Sequence, residues 1–262
     1  MTWTAARTAP TTIHSDEENR ARVALVCDGL SGDPTVGAAI RRLGGAAELL
    51  HHVQSGTDDD PLSSFGPLAA QAHGSRVDSV ITMTERLGLA LISPQHESWP
   101  RGLDALGDAA PLLLWVRGAE TVLAEEAAAI VGPRHPSREA RHATLEFATS
   151  LADRGWVVAS GVAPGVEELA LRAATAMRGA TIAIAPIGLD RHTPTVATSV
   201  TVSAEPPTAE RTARSIRRAR QILAATATRM IVVDEARCWN ARMIAETARM
   251  LRRPVGRAAA TE

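Results

Sequence analysis

The apolar pattern changes character along the chain. Before residue 55 the apolar positions fall at helical spacing: Val23 and Val26, then Ile40, Leu43, Ala47 and Leu50. The run Gly29-Leu30-Ser31-Gly32-Asp33-Pro34 parts the two sets with turn formers. This spacing predicts two or three short helices over 18–54. From about residue 80, short apolar runs alternate with amphipathic stretches. The runs at 89–92, 112–115, 128–131, 156–159, 181–185, 200–202 and 230–233 predict strands. The stretches at 138–153, 166–178, 209–226 and 240–252 predict helices. Strands that are apolar on both faces and separated by helices imply a mostly parallel sheet covered on both sides. The expected fold class is therefore α/β: an extended Rossmann-like, doubly wound, mostly parallel sheet behind a small N-terminal helical domain.

The intervening segments set the expected boundaries. Residues 1–17 have no periodicity and are expected to form a disordered tail. Residues 55–79 are expected to be a linker between the helical domain at 18–54 and the sheet domain at 80–262. The core of that linker, SGTDDDPLSSFG over 55–66, is rich in Ser, Asp, Gly and Pro.

An apolar content of 45% supplies a core and excludes wholesale disorder. All 28 basic residues are Arg, a bias that a GC-rich genome produces without functional reason. Cys27 and Cys238 form neither a disulfide framework nor a metal pattern, and the eight His show no zinc-type spacing, so no metal or cofactor is called for. The chain shows neither a signal-peptide core nor a run long enough to span a membrane, which points to the cytoplasm. The net charge of −1 hides an asymmetry. Residues 1–80 hold 6 Arg against 10 acids, whereas residues 205–262 hold 12 Arg against 6 acids. The C-terminal part either meets an anionic partner or is an ordinary solvated face.

Two strand ends have the composition of an anion site. Ile130-Val131-Gly132-Pro133-Arg134 ends a strand on Gly and follows it with a forked cation. Ser160-Gly161-Val162-Ala163-Pro164-Gly165 precedes a helix, so backbone N–H groups and a helix N-terminus aim at one point. Either turn is also readable as a plain tight connection. Neither matches a dinucleotide fingerprint or a phosphate-binding P-loop. A third feature is the run Arg211, Arg214, Arg217, Arg218 and Arg220 on the helix predicted at 209–226. Arg211, Arg214 and Arg218 share a face there, opposite Ile216, Ala219, Ile222 and Leu223. Such a stripe suits a polyanion with repeating phosphates, or an Arg–Glu paired surface.

In this order, the motifs resemble the DprA/Smf family of DNA-processing proteins. WPRGLDALGDAAPLLLWVRG (99–118) is similar to the family's entry segment, and AIVGPR (129–134) to its Val-Gly-x-Arg motif. SGVAPGVEELAL (160–171) resembles Ser-Gly-x-Ala-x-Gly-Ile-Asp-x-x-Ala-His, and TIAIAPIGLDRHTP (181–194) the Gly-Leu-Asp strand end. SAEPP (203–207) and RRARQILAATATRMIVVDEA (217–236) resemble the Ser-Glu-x-Pro turn and the Arg-Asn-Arg segment with its following strand. RVALVCDGLSGDPTVGAAIRRLGGAAELL (22–50) resembles the small helical domain of actinobacterial-type members. The resemblance implies single-stranded DNA binding, delivery of a RecA-type recombinase to that DNA, a homodimer, and no catalysis. By motif position it implies phosphate-binding roles for Gly132, Arg134, Ser160, Gly161, Ala163, Gly165, Arg218 and Arg220. Arg214 and Arg217 join them from the cationic helix.

The chain departs from the family pattern at identifiable places. Glu167 replaces Asp, Leu171 replaces His, and Pro133 stands where Ser or Thr is common. Glu139-Ala140 takes the place of Tyr-Gly, Thr193 that of Tyr, and Cys238-Trp239-Asn240 that of Ser-Gly-Ser. The late Pro-Gly is missing, and Glu262 falls where many members continue into a winged-helix domain. Most of these changes remove a small or polar group from the phosphate pocket. A nucleotide-binding sensor and a nucleoside-phosphate hydrolase on a related Rossmann sheet are the alternatives. The Pro-Gly-Gly-x-Gly-Thr turn of phosphoribohydrolases is absent. A remnant that only dimerises with a longer partner is a further alternative. Trp239 either stacks a base or caps the sheet edge as core, the plainer reading. Asp190 and Glu205 either form an acid–base pair or cap and pair with Arg, again the plainer reading.

Overall fold

A short all-apolar segment, Ala-Ala-Ala-Ile-Val at 127–131, lies inside the sheet, and every one of its residues is buried. The chain is seen in a computed structural model that describes residues 17–55 and 74–258. Among the described residues four helices come first: α1 (Glu17–Cys27), α2 (Pro34–Leu43), α3 (Ala46–Ser55) and α4 (Ser75–Arg86). The strands are β1 (Ala90–Ile92), β2 (Leu114–Gly118), β3 (Ala127–Val131), β4 (Val157–Gly161), β5 (Thr181–Ile184), β6 (Val200–Ser203), β7 (Arg229–Val233) and β8 (Val255–Ala258). Helices α5 (Arg138–Asp153), α6 (Val166–Ala176), α7 (Ala213–Thr226) and α8 (Trp239–Met250) connect β3–β4, β4–β5, β6–β7 and β7–β8.

The sheet order is β1-β2-β6-β5-β4-β3-β7-β8. The six strands from β6 to β8 are parallel, and β1 and β2 close the other end antiparallel. Alternation along β3 builds both cores. Ala128 and Ile130 pack beneath α5 and α6, with Ala140, Ala148, Leu151, Val166 and Ala170. Ala127, Ala129 and Val131 face α7 and α8, with Ile222, Leu223, Ile244 and Ala245. The mostly parallel, doubly covered sheet is the architecture that the apolar runs predict. All seven predicted strands are present. The eighth, β8, carries Val-Gly-Arg-Ala with two exposed positions at a sheet edge, so it has no apolar run to find.

The N-terminal helices share a core with the sheet. Val23, Leu49 and Ile81 pack in one cluster with Leu91, Leu113 and Trp115. The indole N–H of Trp115 donates to Thr84 Oγ1 at 3.0 Å. Arg22 is buried and donates to the Leu112 carbonyl at 2.9 Å. The boundary expected between residues 79 and 80 falls inside α4, whose buried face of Val77, Val80 and Ile81 runs across it. That face is narrow, among Arg, Asp, Ser and Thr, which hides its helical period from a sequence reading. The expected tail over 1–17 lies outside the described residues except for Glu17, which opens α1. Of the expected linker, residues 56–73 lie outside them as well.

Helix α7 begins at Ala213, because Thr212 and Ser215 form a reciprocal capping box. Arg211 therefore precedes the helix. Residues 218 and 220 are two apart on a helix and point to opposite faces. Arg218 turns to the N-terminal helices, where it donates to the Ser31 carbonyl at 2.6 Å, and it pairs with Glu205, just after β6, at 2.6 Å. Breaking a buried pair leaves an uncompensated charge, so Arg218→Ala is expected to lower stability by about 3 kcal/mol in urea unfolding. The exposed Arg217→Ala should stay within about 0.5 kcal/mol of wild type. Equal effects of the two substitutions would contradict this division of the helix.

Candidate functional site

The chain runs outward from β3 through β4, β5 and β6, then returns to place β7 on the other side of β3. Open parallel sheets bind ligands beyond the strand ends at such a reversal. A cavity of about 710 Å³ lies there. The loops after β3 and β4 form one wall, α7 and the segment before it a second, and the start of α8 a third.

Close contact between the first two loops shapes the cavity. Gly165 has φ +95°, and a Cβ there would overlap the carbonyl oxygens of Pro133 and Arg134. Only Gly tolerates both conditions. The Val166 N–H then donates to the Pro133 carbonyl at 3.1 Å. Ser160 is buried, and its hydroxyl donates to the Ile130 carbonyl at 2.6 Å, stapling β4 to β3. The N–H of Ala163 is engaged as well, because it donates to Glu167 Oε2 at 3.1 Å. Pro164 has no N–H to offer. Much of the amide cradle expected in this turn is therefore committed within the protein.

Glu167 is 5% exposed and lines the cavity. Its second oxygen, Oε1, lies 3.4 Å from the Asn240 amide nitrogen, a weak donor contact. Burial pushes its carboxyl up to about 7. The Ala163 N–H and then Arg134, Arg220 and Arg211 pull the other way. Desolvation outweighs the cations because the site encloses the carboxylate while the guanidinium groups of Arg134 and Arg211 remain in solvent.

The cations converge from separate elements. Arg134 and Arg211 are exposed at the rim. Arg220 is half-buried and lies over the Trp239 ring, 4.9 Å from its centroid. Its Nε is enclosed and finds no hydrogen-bond partner among the described residues. Trp239 is 61% exposed and forms the lip of the cavity, which corrects the expectation that it is core. The cause is local. Cys238 caps α8, with Sγ accepting from the Ala241 N–H at 3.3 Å and donating to the Gly132 carbonyl at 3.3 Å. This turns the first residue of the helix outward.

Among the residues expected at the site, the fold brings together Gly132, Arg134, Gly161, Ala163 and Arg220. Ser160 and Gly165 shape the turn from behind. Arg214, Arg217 and Arg218 do not line the cavity, so the single cationic stripe is divided. Arg214 is on the Arg218 side, next to Gly29. Glu167 and Asn240 complete the site and were not among the expected binding residues, and Trp239, weighed as a base platform or as core, joins them. Side chains on a helix lean towards its N-terminus. A Glu two residues after the turn glycine is therefore the signal for a carboxylate reaching back into that turn. Asp190 accepts from the Thr208 N–H at 2.6 Å and Glu205 pairs with Arg218, so both carboxylates are engaged in caps and ion pairs. Among the described residues no group of three or more His, Cys, Asp or Glu could hold a metal ion, and no helix is long and apolar enough to cross a membrane.

Known proteins share this fold. The sequence profile of DNA recombination-mediator protein A matches residues 90–258, from the first residue of β1 to the last of β8. The DNA processing protein DprA of Mycobacterium tuberculosis is 30% identical over 165 residues, which is 58% of this chain and 42% of that protein. The chain thus matches less than half the length of this curated relative. The crystal structure of DNA processing protein A from Streptococcus pneumoniae superposes with a TM-score of 0.75 at 20% identity, covering 92% of this chain and 86% of that one. DNA processing protein A of Helicobacter pylori, solved to examine its single-stranded DNA binding mode, superposes with a TM-score of 0.57 at 23% identity, over 64% of this chain and 80% of that one. Both likenesses carry the fold.

The Glu167 carboxyl makes stability depend on pH. The folded protein holds its proton up to about pH 7, against an ordinary value of 4.5. The stability tied to neutral Glu167 is complete below the ordinary value, drains as pH rises through the folded one and is gone above it. Glu167→Gln cannot ionise. Its advantage over wild type in urea unfolding should be about 2–3 kcal/mol larger at pH 8 than at pH 5. An unchanged gap would refute the elevated carboxyl.

Proposed function

The chain belongs to the DNA recombination-mediator protein A family, and from that premise we propose that its cavity holds a segment of single-stranded DNA. The observation that carries the reading is the convergence of Arg134, Arg211, Arg220 and the exposed Trp239 on one cavity at the sheet's C-terminal edge. Arg matches phosphate with two parallel donors, and a phosphate chain repeats that target. Arg220 lines the same cavity with its guanidinium group held over the Trp239 ring. Bases have apolar faces, and an exposed indole is a sequence-tolerant platform for one of them. The relative from Helicobacter pylori was studied for binding to single-stranded DNA, which supports the same ligand class here.

In this reading the phosphate contacts come chiefly from guanidinium groups, because Ala163 and Val166 have already spent their N–H groups. Gly132, Gly161, Ala163 and Gly165 set the shape of the trough. Ser160 and Arg218 hold its frame, while Arg214 and Arg217 add positive field from α7. Membership of the family supports a wider role, which we include in the proposal. The chain acts as a non-catalytic mediator in the cytoplasm, without a cofactor. It hands the bound strand to a RecA-type recombinase and works as a homodimer.

A labelled oligo-dT strand should bind with an affinity that falls steeply as salt rises, since each neutralised phosphate releases counterion. Arg134→Ala should weaken all sequences alike, by about tenfold or more, and reduce the salt slope by about one. Flat titrations at low salt would remove the reading. Trp239→Ala should lower affinity by about 1–3 kcal/mol per stacked base for normal strands and leave an abasic backbone unaffected. Equal losses on the two ligands would assign Trp239 to the frame instead. Mononucleotide binding without strand binding would favour the sensor alternative.

A further inference from the structure

Glu167 reaches back into the turn after β4, the turn whose backbone donors have the composition of an anion site. Its Oε2 takes the Ala163 N–H of the turn after β4, a donor that such turns present to anions. The carboxylate fills the space beside Gly161, where even a Cβ would collide with Oε2. Groups from every wall face it. Arg134 and His135 come from the loop after β3, Arg211 from the segment before α7, and Arg220 from α7 itself. Cys238 and Asn240 come from the start of α8. On its own helix, the neighbouring Glu168 is turned aside to Arg172. The protein thus fits its anion site with a carboxyl group of its own, ringed by guanidinium groups.

We propose that Glu167 determines when the cavity accepts an anion: its carboxylate is an internal stand-in for phosphate, and a DNA strand enters with uptake of one solvent proton by that carboxylate. This rests on reading the cavity as a single-stranded DNA site. Two anions in one enclosed site repel, so phosphate raises the proton affinity of Glu167. By linkage, protonation raises the affinity for phosphate equally. The proton also changes the role of the group. A carboxylate only accepts hydrogen bonds, whereas the acid has an O–H that can donate to a phosphate oxygen while Oε2 keeps the Ala163 N–H. Burial already holds the free carboxyl near 7, so the exchange takes place around neutral pH.

Oligo-dT suits the test, because neither phosphodiesters nor thymine titrate between pH 6 and 8. Its affinity, measured by fluorescence anisotropy, should fall about tenfold from pH 6 to pH 8 if only the neutral acid admits the strand. Calorimetry on the wild type at pH 7.5, in two buffers of different ionisation enthalpy, should register net proton uptake. Glu167→Gln should bind at pH 8 as tightly as wild type does at pH 6, with a flat profile. His135→Gln should keep the wild-type slope. A flat wild-type profile without proton uptake would overturn the proposal and leave the DNA site standing. Loss of the slope in His135→Gln would overturn it as well, by giving the titration to the imidazole. If neither wild type nor Glu167→Gln bound DNA at any pH, the fault would lie in the DNA reading itself. Because proton uptake is read on the wild type, the test does not depend on the folding of any variant.

Discussion

The loops after β3 and β4 lie against each other because residue 165 has no side chain. Gly165 sits under the carbonyls of Pro133 and Arg134 in a backbone conformation that other residues resist. The wall formed by these two loops follows from that contact. The contact draws the Val166 N–H onto Pro133, starts α6 at the right point, and so aims Glu167 back across the turn. It also places Arg134 beside the β4 loop. Any larger residue at 165 would part the two loops, and the guanidinium group and the carboxylate would no longer share a space.

Desolvation and Coulomb attraction compete inside that space. Three Arg residues favour an ionised Glu167, and they lose to burial because two of them keep their charges in solvent. At Arg218 burial again outweighs the attraction of its partner and lowers the proton affinity. There, however, Glu205 and the Ser31 carbonyl meet the guanidinium group directly at 2.6 Å. One arginine is thereby fixed as framework. Another, Arg220, rests on an indole with a donor unspent. The difference lies in the partners each helix face meets, not in residue type.

The fold was legible because continuous apolar runs such as 127–131 exist only where both faces of a strand are covered. The short edge strand β8 and the narrow helix α4 were not, since each carries too few apolar positions to show a period. At the site, the strand-end residues Gly132, Arg134 and Gly161 could be found from the sequence, because a parallel sheet puts its loops at one edge. The cationic helix could not be read as closely. A start at Ala213 instead of 209 removes Arg211 from the helix, and the 3.6-residue period then separates Arg218 from Arg220. Trp239 was misplaced for a related reason: its orientation is set by the Cys238 cap, a tertiary detail tied to the Gly132 carbonyl.

Helix α7 holds the N-terminal helices with one face and closes the cavity with the other. It behaves as an axle with a load at each side. A small roll about its axis that eased Arg218 off Ser31 would swing Arg220 across the mouth of the cavity. The N-terminal helices lie outside the segment shared with the family profile, yet they are geared to the part that is shared. A substitution that shifted those helices would therefore reach the cavity through α7, as a change in the angle at which Arg220 faces it.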